Sequence, residues 1–240
     1  MKFGPTPTIY DLNPYDSNAY QQHPLGALAY SADGRKFRYC KSVAAAVTGD
    51  CYSSAGQDDQ FESMAVNAIE PIGETEIAVT NGTTTVAAND FNEGYLMVSS
   101  STGIGQMSRI LAHDTGTSGA TITYKIEDAL KVALSTSSKV SVIKNPFDDI
   151  IIQAVTPVAP TAGIACFAIP AGEFGWIQTG GPAACLWDAS VSAVDTLGVA
   201  GSTTTAGAVR VAAAGTEVIG RAMQVVPVSA YVAPVFLQLD

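Results

Sequence analysis

From about residue 25 onward, apolar and polar positions alternate in short runs, and Gly, Ser, Asn or Asp interrupt them roughly every ten residues. Leu28 and Tyr30 alternate with small residues. Phe37 and Tyr39 alternate with Lys36, Arg38 and Cys40, and Asp33-Gly34 lies between the two runs. This predicts a hairpin over Leu25–Cys40, with a type I′ turn, one apolar face and one basic face. The same period predicts strands at Thr75–Thr80, Gly94–Ser99, Met107–Ala112, Thr121–Glu127, Lys131–Ser135 and Lys139–Lys144. Beyond Asn145-Pro146 it predicts them at Ile150–Val155, Gly163–Ile169, Gly175–Thr179, Ala184–Trp187, Ala208–Ala212, Val218–Val226 and Pro234–Leu239. Ser42–Val47 suits an irregular strand or a short helix, and Gly49–Gln60 reads as an exposed acidic loop. No long helical period and no fixed-length repeat occurs. The expected fold class is all-β, a jelly-roll or β-sandwich body with few or no helices.

Residues 1–24 follow neither period. Pro5, Pro7, Pro14 and Pro24 favour extended chain, and Phe3, Ile9, Tyr10, Tyr15 and Tyr20 are spaced along it. Large rings on an extended segment suit anchoring, either to another surface or back on the chain's own body. The expected division is an arm at 1–24, a first β region at 25–145 and a second at 146–240; alternatively 25–240 forms one composite body. Because the hairpin begins afresh at Leu25, the body is expected to fold without the arm.

Charge narrows the functional classes. Twelve Lys and Arg face 22 Asp and Glu, a formal charge of −10, and such a surface repels phosphate, so no nucleic-acid partner is expected. Arg35, Lys36, Arg38 and Lys41 gather in one segment, as a solvated strand face or as a contact for an acidic partner. Met1-Lys2-Phe3-Gly4-Pro5 opens no secretion signal. The uncharged run Ile150–Gly172 contains Pro157, Pro160 and Pro170 and reads as two buried strands, so no membrane partner is expected. Cys40, Cys51, Cys166 and Cys185 form no C-x-x-C pair, which predicts reduced thiols, and with only two histidines no zinc site is expected.

Catalytic arrangements are missing from the pattern. His113 and Asp114 are adjacent on a strand and would point to opposite faces. Gly103-x-Gly105 lacks the third glycine of a dinucleotide loop, and no helix is expected after it. Asp58-Asp59 and Asp148-Asp149 sit in no calcium-loop pattern. Glu173 and Asp188 would pair only through the fold. The chain is therefore read as a non-enzyme, with no catalytic residues, cofactor or metal.

Several segments resemble the head decoration, or capsid cement, proteins of tailed bacteriophages. They are Gly26-Ala-Leu-Ala-Tyr30 with Asp33-Gly34-Arg35-Lys36-Phe37-Arg38-Tyr39, then Lys41-Ser42 and Gly49. Next come Gly94-Tyr95-Leu96, Thr102-Gly103-x-Gly105 with Arg109-Ile110, Leu130-Lys131-Val132-Ala133-Leu134 and Asn145-Pro146-Phe147. Ile169-Pro170-Ala171-Gly172-x-Phe174-Gly175-Trp176-Ile177-Gln178-Thr179-x-Gly181-Pro182 and Pro234-Val235-Phe236-Leu237-x-Leu239-Asp240 complete the set. Each segment is ordinary turn and strand vocabulary; their order from residue 25 onward carries the resemblance, which does not reach residues 1–24. It implies a homotrimeric subunit made in the host cytoplasm that binds the major capsid protein on the outer surface of the virion and reinforces the lattice. Phe3, Ile9, Tyr10, Tyr15 and Tyr20 are the expected capsid contacts, with Arg35, Lys36, Arg38 and Lys41 as the alternative surface. The competing reading is a tail-fibre, baseplate or spike protein that binds host-surface carbohydrate.

Overall fold

The computed structural model describes residues 9–10, 13–192 and 198–240. In chain order the strands are β1 (Ile9–Tyr10), β2 (Leu28–Tyr30), β3 (Lys36–Lys41), β4 (Cys51–Ser53), β5 (Met64–Ala65) and β6 (Glu76–Thr80). They continue with β7 (Tyr95–Ser100), β8 (Met107–His113), β9 (Thr121–Ile126), β10 (Lys139–Ile143), β11 (Ile151–Ile152) and β12 (Thr161–Ile164). The last are β13 (Phe174–Trp187), β14 (Gly198–Gly201), β15 (Val209–Val211), β16 (Gly220–Ala222) and β17 (Tyr231–Gln238). Among the described residues the only helical segment is a 3-10 turn at Asp59–Phe61. The protein is all-β, as the alternation predicts.

Two compact units divide the chain. One is Gln57–Asn145; the other joins the preceding segment, up to Gly56, with Pro146–Asp240. Asn145-Pro146 is thus a boundary, but residues 25–56 do not group with 57–145, because β3 pairs along its length with β13. Local alternation identifies a strand and says nothing of a partner more than a hundred residues away.

The 57–145 unit is a barrel. Its strand order is β5-β10-β7-β8-β9-β6, and Val66, just after β5, bridges Val79 of β6 and closes the ring. Side chains alternate across the wall. Ile77, Val79, Leu96, Val98, Ile110, Ile122, Tyr124, Val140 and Val142 fill the interior, each at most 2% exposed. Fully burying one such aliphatic side chain contributes about 2 kcal/mol. The outward positions of β6 and β9 are polar, with Glu76 opposite Lys125 and Thr80 opposite Thr121. The expected strand at Lys131–Ser135 is instead a turn, attached through the Glu70–Leu134 bridge.

The other unit is organised by β13. Its C-terminal half closes a second barrel, β13-β15-β14-β16-β17, around Cys185, Trp187, Val199, Val209, Ile219, Val235 and Leu237. Its N-terminal half lies in a sheet ordered β1-β2-β3-β13-β12-β4-β11. Gly180 and Gly181 mark the change: pairing with β3 ends at Gly180, pairing with β17 starts there, and Gly181 adopts φ +80°. Two strands expected from the sequence are therefore one strand bent at a glycine pair.

Two further expectations are corrected. Asp33 is not at positive φ, whereas Gly34 is at +83°. Gly34 N–H donates to Ser31 O at 2.9 Å and Ser31 N–H to Arg35 O at 3.1 Å, so the loop is a turn with a glycine bulge rather than type I′. The Asp33 carboxylate favours this geometry by accepting from the Ser31 hydroxyl and the Arg35 guanidinium. Second, Gly49–Gln60 is not an exposed acidic loop throughout. Cys51–Ser53 is a buried strand between β11 and β12, and only the part near Gly56–Asp59 is exposed.

Candidate functional site

The described part of the N-terminal segment is tied to its own unit. β1 pairs in parallel with β2, placing Ile9 opposite Ala29 and Tyr10 opposite Tyr30. Asn18 and Phe174 exchange two backbone hydrogen bonds of 2.9 Å, and Ser17 Oγ donates to Glu173 at 3.1 Å. Gln22 N–H donates to the Tyr39 hydroxyl at 3.0 Å. The His23 ring lies 5.2 Å from Tyr39 and 5.4 Å from Trp176, and this burial lowers its pKa. Pro14 and Pro24 are buried. The segment thus covers the cluster of Ala27, Ala29, Phe37, Tyr39 and Trp176. Proline spacing makes the chain extended, and the rings of β3 and β13 give it a place to lie.

Of the expected anchors, Phe3 lies outside the described residues, and for Ile9 and Tyr10 only the backbone is described. Tyr15 and Tyr20 face outward although their backbone is held. Tyr15 is 52% exposed, its ring edge-on to Phe167 at 5.9 Å; Tyr20 is 79% exposed. Both rings are presented without the ordering cost a loose arm would bear on binding.

The four basic residues all have intramolecular partners. Arg35 pairs with Asp33 at 2.8 Å and lies over the Phe37 ring. Hydrogen bonds from Ser31 and then Arg35 hold the Asp33 carboxyl down at about 2. Arg38 Nε and Nη2 reach the two carboxylate oxygens of Asp240 at 2.9 Å each, and Lys36 Nζ donates to the Asp240 backbone oxygen at 3.1 Å. Burial opposes ionisation of Asp240, yet the bonds from Arg38 and Thr179 keep its pKa below the ordinary value. Lys41 pairs with Asp149 at 2.8 Å. Arg35, Arg38 and Lys41 on this strand face are in ion pairs, Arg35 with the Asp33 of its own hairpin turn, Arg38 and Lys41 with Asp240 and Asp149, which lie more than a hundred residues away.

The candidate chemistry resolves locally. Asp148-Asp149 serves Lys41. Glu173 takes Ser17, and Asp188 takes Ser202 and Thr204. The Gly103-x-Gly105 turn leads into strand β8. His113 accepts Phe91 N–H at Nε2 and donates from Nδ1 to Asp114 O. The tryptophans, 4% and 0% exposed, are core residues, so neither offers a ring on which a sugar could stack. A pocket of about 230 Å³ opens on the 57–145 barrel, walled by Leu96, Val98, Met107, Ile126 and Leu130. Its polar rim is already engaged: Ser108 Oγ accepts Asp128 N–H, and Gln106 Oε1 accepts Lys131 and Val132 N–H.

Comparison of the chain with protein-family models, curated proteins and solved structures finds no match. The functional reading therefore rests on the residues themselves.

Proposed function

We propose that this chain is a non-enzymatic virion protein that binds the outer surface of a tailed-phage capsid, contacts the major capsid protein and stabilises the shell. The observation that carries the reading is the presentation of Tyr15 and Tyr20. Both rings project outward from a segment whose backbone is bonded to the body. The ordered resemblance from residue 25 onward supports it, as does the all-β character of the chain. With Arg35, Arg38 and Lys41 in internal ion pairs and Lys36 bonded to the Asp240 backbone oxygen, the tyrosines are the preferred contact and the Arg35–Lys41 face the secondary one. Many weak contacts repeated over a symmetric shell sum by avidity, so modest rings suffice.

The test is co-sedimentation with undecorated capsids. The double variant Tyr15→Ser/Tyr20→Ser should keep a melting temperature close to wild type, because Tyr20 is 79% exposed and the Tyr15 ring meets Phe167 only edge-on. It should bind capsids roughly tenfold or more weakly, since buried interface rings each contribute about 1–3 kcal/mol. Undiminished binding would place the contact elsewhere on the body.

A further inference from the structure

The pocket of about 230 Å³ on the 57–145 barrel reaches the barrel's own core. Leu96 and Val98 of β7, Ile126 of β9 and Leu130 belong to that core and also line the pocket. The mouth of a β-barrel is a frequent place for a small-molecule site, because paired strands hold the wall while their ends leave it open.

The wall is fixed from several directions. Asp128 N–H donates to Ser108 Oγ at 2.8 Å, and Glu127 N–H to Arg109 O at 2.9 Å. Leu130 N–H donates to Glu74 O, and Leu130 O accepts from Gly73 N–H, both at 2.9 Å. Gln106 holds the next residues: Oε1 accepts from Lys131 and Val132 N–H, and Nε2 donates to Val132 O at 2.9 Å. A pocket held in this way exists before anything enters it, so a ligand does not bear the cost of ordering it.

Ser108 is the one hydroxyl on the lining. It lies opposite Leu96 in the β7–β8 pairing and, at 8% exposed, faces inward like Ile110 two residues on. Its oxygen accepts from Asp128, but among the described residues its proton has no acceptor. A nine-tenths buried hydroxyl with a proton to give offers one donor to a molecule held against it.

We propose that this pocket binds a small neutral molecule, an apolar ring or short branched chain carrying one hydrogen-bond acceptor that takes the Ser108 proton. Size agrees: an aliphatic cavity of ~150 Å³ holds benzene, so 230 Å³ leaves room for a ring with a short substituent. Charge selects neutrality. Asp128 and Lys131 are the charged residues of the lining, one of each sign, so an ion attracted by one is repelled by the other. The engaged Gln106 amide leaves water in the pocket few partners, and displacing such water with an apolar group favours binding. The site is independent of capsid binding and is tested without capsids.

The experiment is an amide-resolved NMR titration of the full chain with acetophenone, ethylbenzene, benzoate and benzylammonium, four ring probes of similar size. Acetophenone should shift the Ser108, Leu130 and Lys131 amide signals saturably, with a dissociation constant below about 1 mM. Ethylbenzene fills the same space without an acceptor and should bind roughly threefold or more weakly. The two ions should bind more weakly still, because each brings a charge into apolar surroundings. In Ser108→Ala the affinity for acetophenone should fall to that for ethylbenzene, with ethylbenzene binding unchanged. If that variant loses its native spectrum, the difference between acetophenone and ethylbenzene on the wild type decides. The proposal is overturned by no saturable shift up to about 10 mM acetophenone, or by shifts confined to another part of the chain. Equal wild-type affinities for acetophenone and ethylbenzene, or an ion that binds as tightly as acetophenone, overturn it as well.

Discussion

At the scale of single residues, His113 shows how burial and hydrogen-bond direction choose one protonation state. The ring is 5% exposed, with Nε2 accepting from Phe91 N–H at 2.9 Å and Nδ1 directed at Asp114 O at 2.8 Å. A second ring proton would meet the Phe91 N–H donor head-on. Burial lowers the histidine pKa, and the pull of Asp114 and Asp90 in the other direction is weaker. With the folded pKa below the unfolded one, the unfolded chain takes the proton first. Stability is then complete above the ordinary histidine value and falls as pH drops below it, levelling once pH passes the folded value. Between pH 7 and 5.5 the melting temperature should drop by about 2–4 °C more for wild type than for His113→Gln. Equal slopes in scanning calorimetry would show that this ring is not the sensitive group. His23, packed against Tyr39 and Trp176, also has its pKa lowered by burial, and the His113→Gln comparison leaves that contribution equal in both proteins. Burial pushes all four thiols up, Cys166 to about 11, leaving them protonated and inert near neutrality.

At the scale of elements, the N-terminal segment departs furthest from expectation. Its extended, ring-bearing character was legible in the prolines and tyrosines, but its docking site was not. That site consists of Tyr39, Phe174 and Trp176, brought together only when β3 pairs with β13. The body was expected to be indifferent to losing residues 1–24. The buried Pro14 and Pro24, the Asn18–Phe174 pair and the His23 contacts indicate the opposite. Removing these residues should destabilise the chain by about 2–4 kcal/mol, the range for uncovering a core cluster. A truncated chain with an unchanged denaturation midpoint would restore the independent arm. For this reason the capsid test uses the tyrosine double variant, which leaves the covering segment in place. Close packing of elements also explains a small residue: a Cβ at Gly220 would lie 2.3 Å from Phe236 O, so β16 reaches β17 only as glycine.

At the scale of the whole molecule, one barrel is inserted into the sequence of another unit. Gln57–Asn145 has its own closed sheet and its own core of Phe61, Met64, Leu96, Ile110, Tyr124 and their neighbours. Expressed alone, residues 57–145 should fold, giving a β-type far-UV spectrum and a cooperative thermal transition. A spectrum of unordered chain would mean that the barrel requires the rest of the protein. The host unit is expected to be less separable, since β13 links its barrel to its sheet and β3 lies far from β13 in sequence.

The sequence by itself determined the class of structure. Period-two alternation sets one face of a strand against water and the other against a core. That pattern placed β6 to β10 within a residue or two. It also marked Asn145-Pro146 as a boundary. Tertiary structure decided everything that depends on which strands meet. Pairing joined two short runs into β13, buried Cys51–Ser53 between β11 and β12, and detached 25–56 from the barrel that follows it. It also supplied Asp240 and Asp149 as the counter-ions of Arg38 and Lys41 on the basic strand face. The physical reason is common to all four. Alternation is a local property of the chain, whereas a hydrogen-bonded neighbour, a counter-ion or a covering segment is set by contacts between residues up to two hundred positions apart, which no local period records.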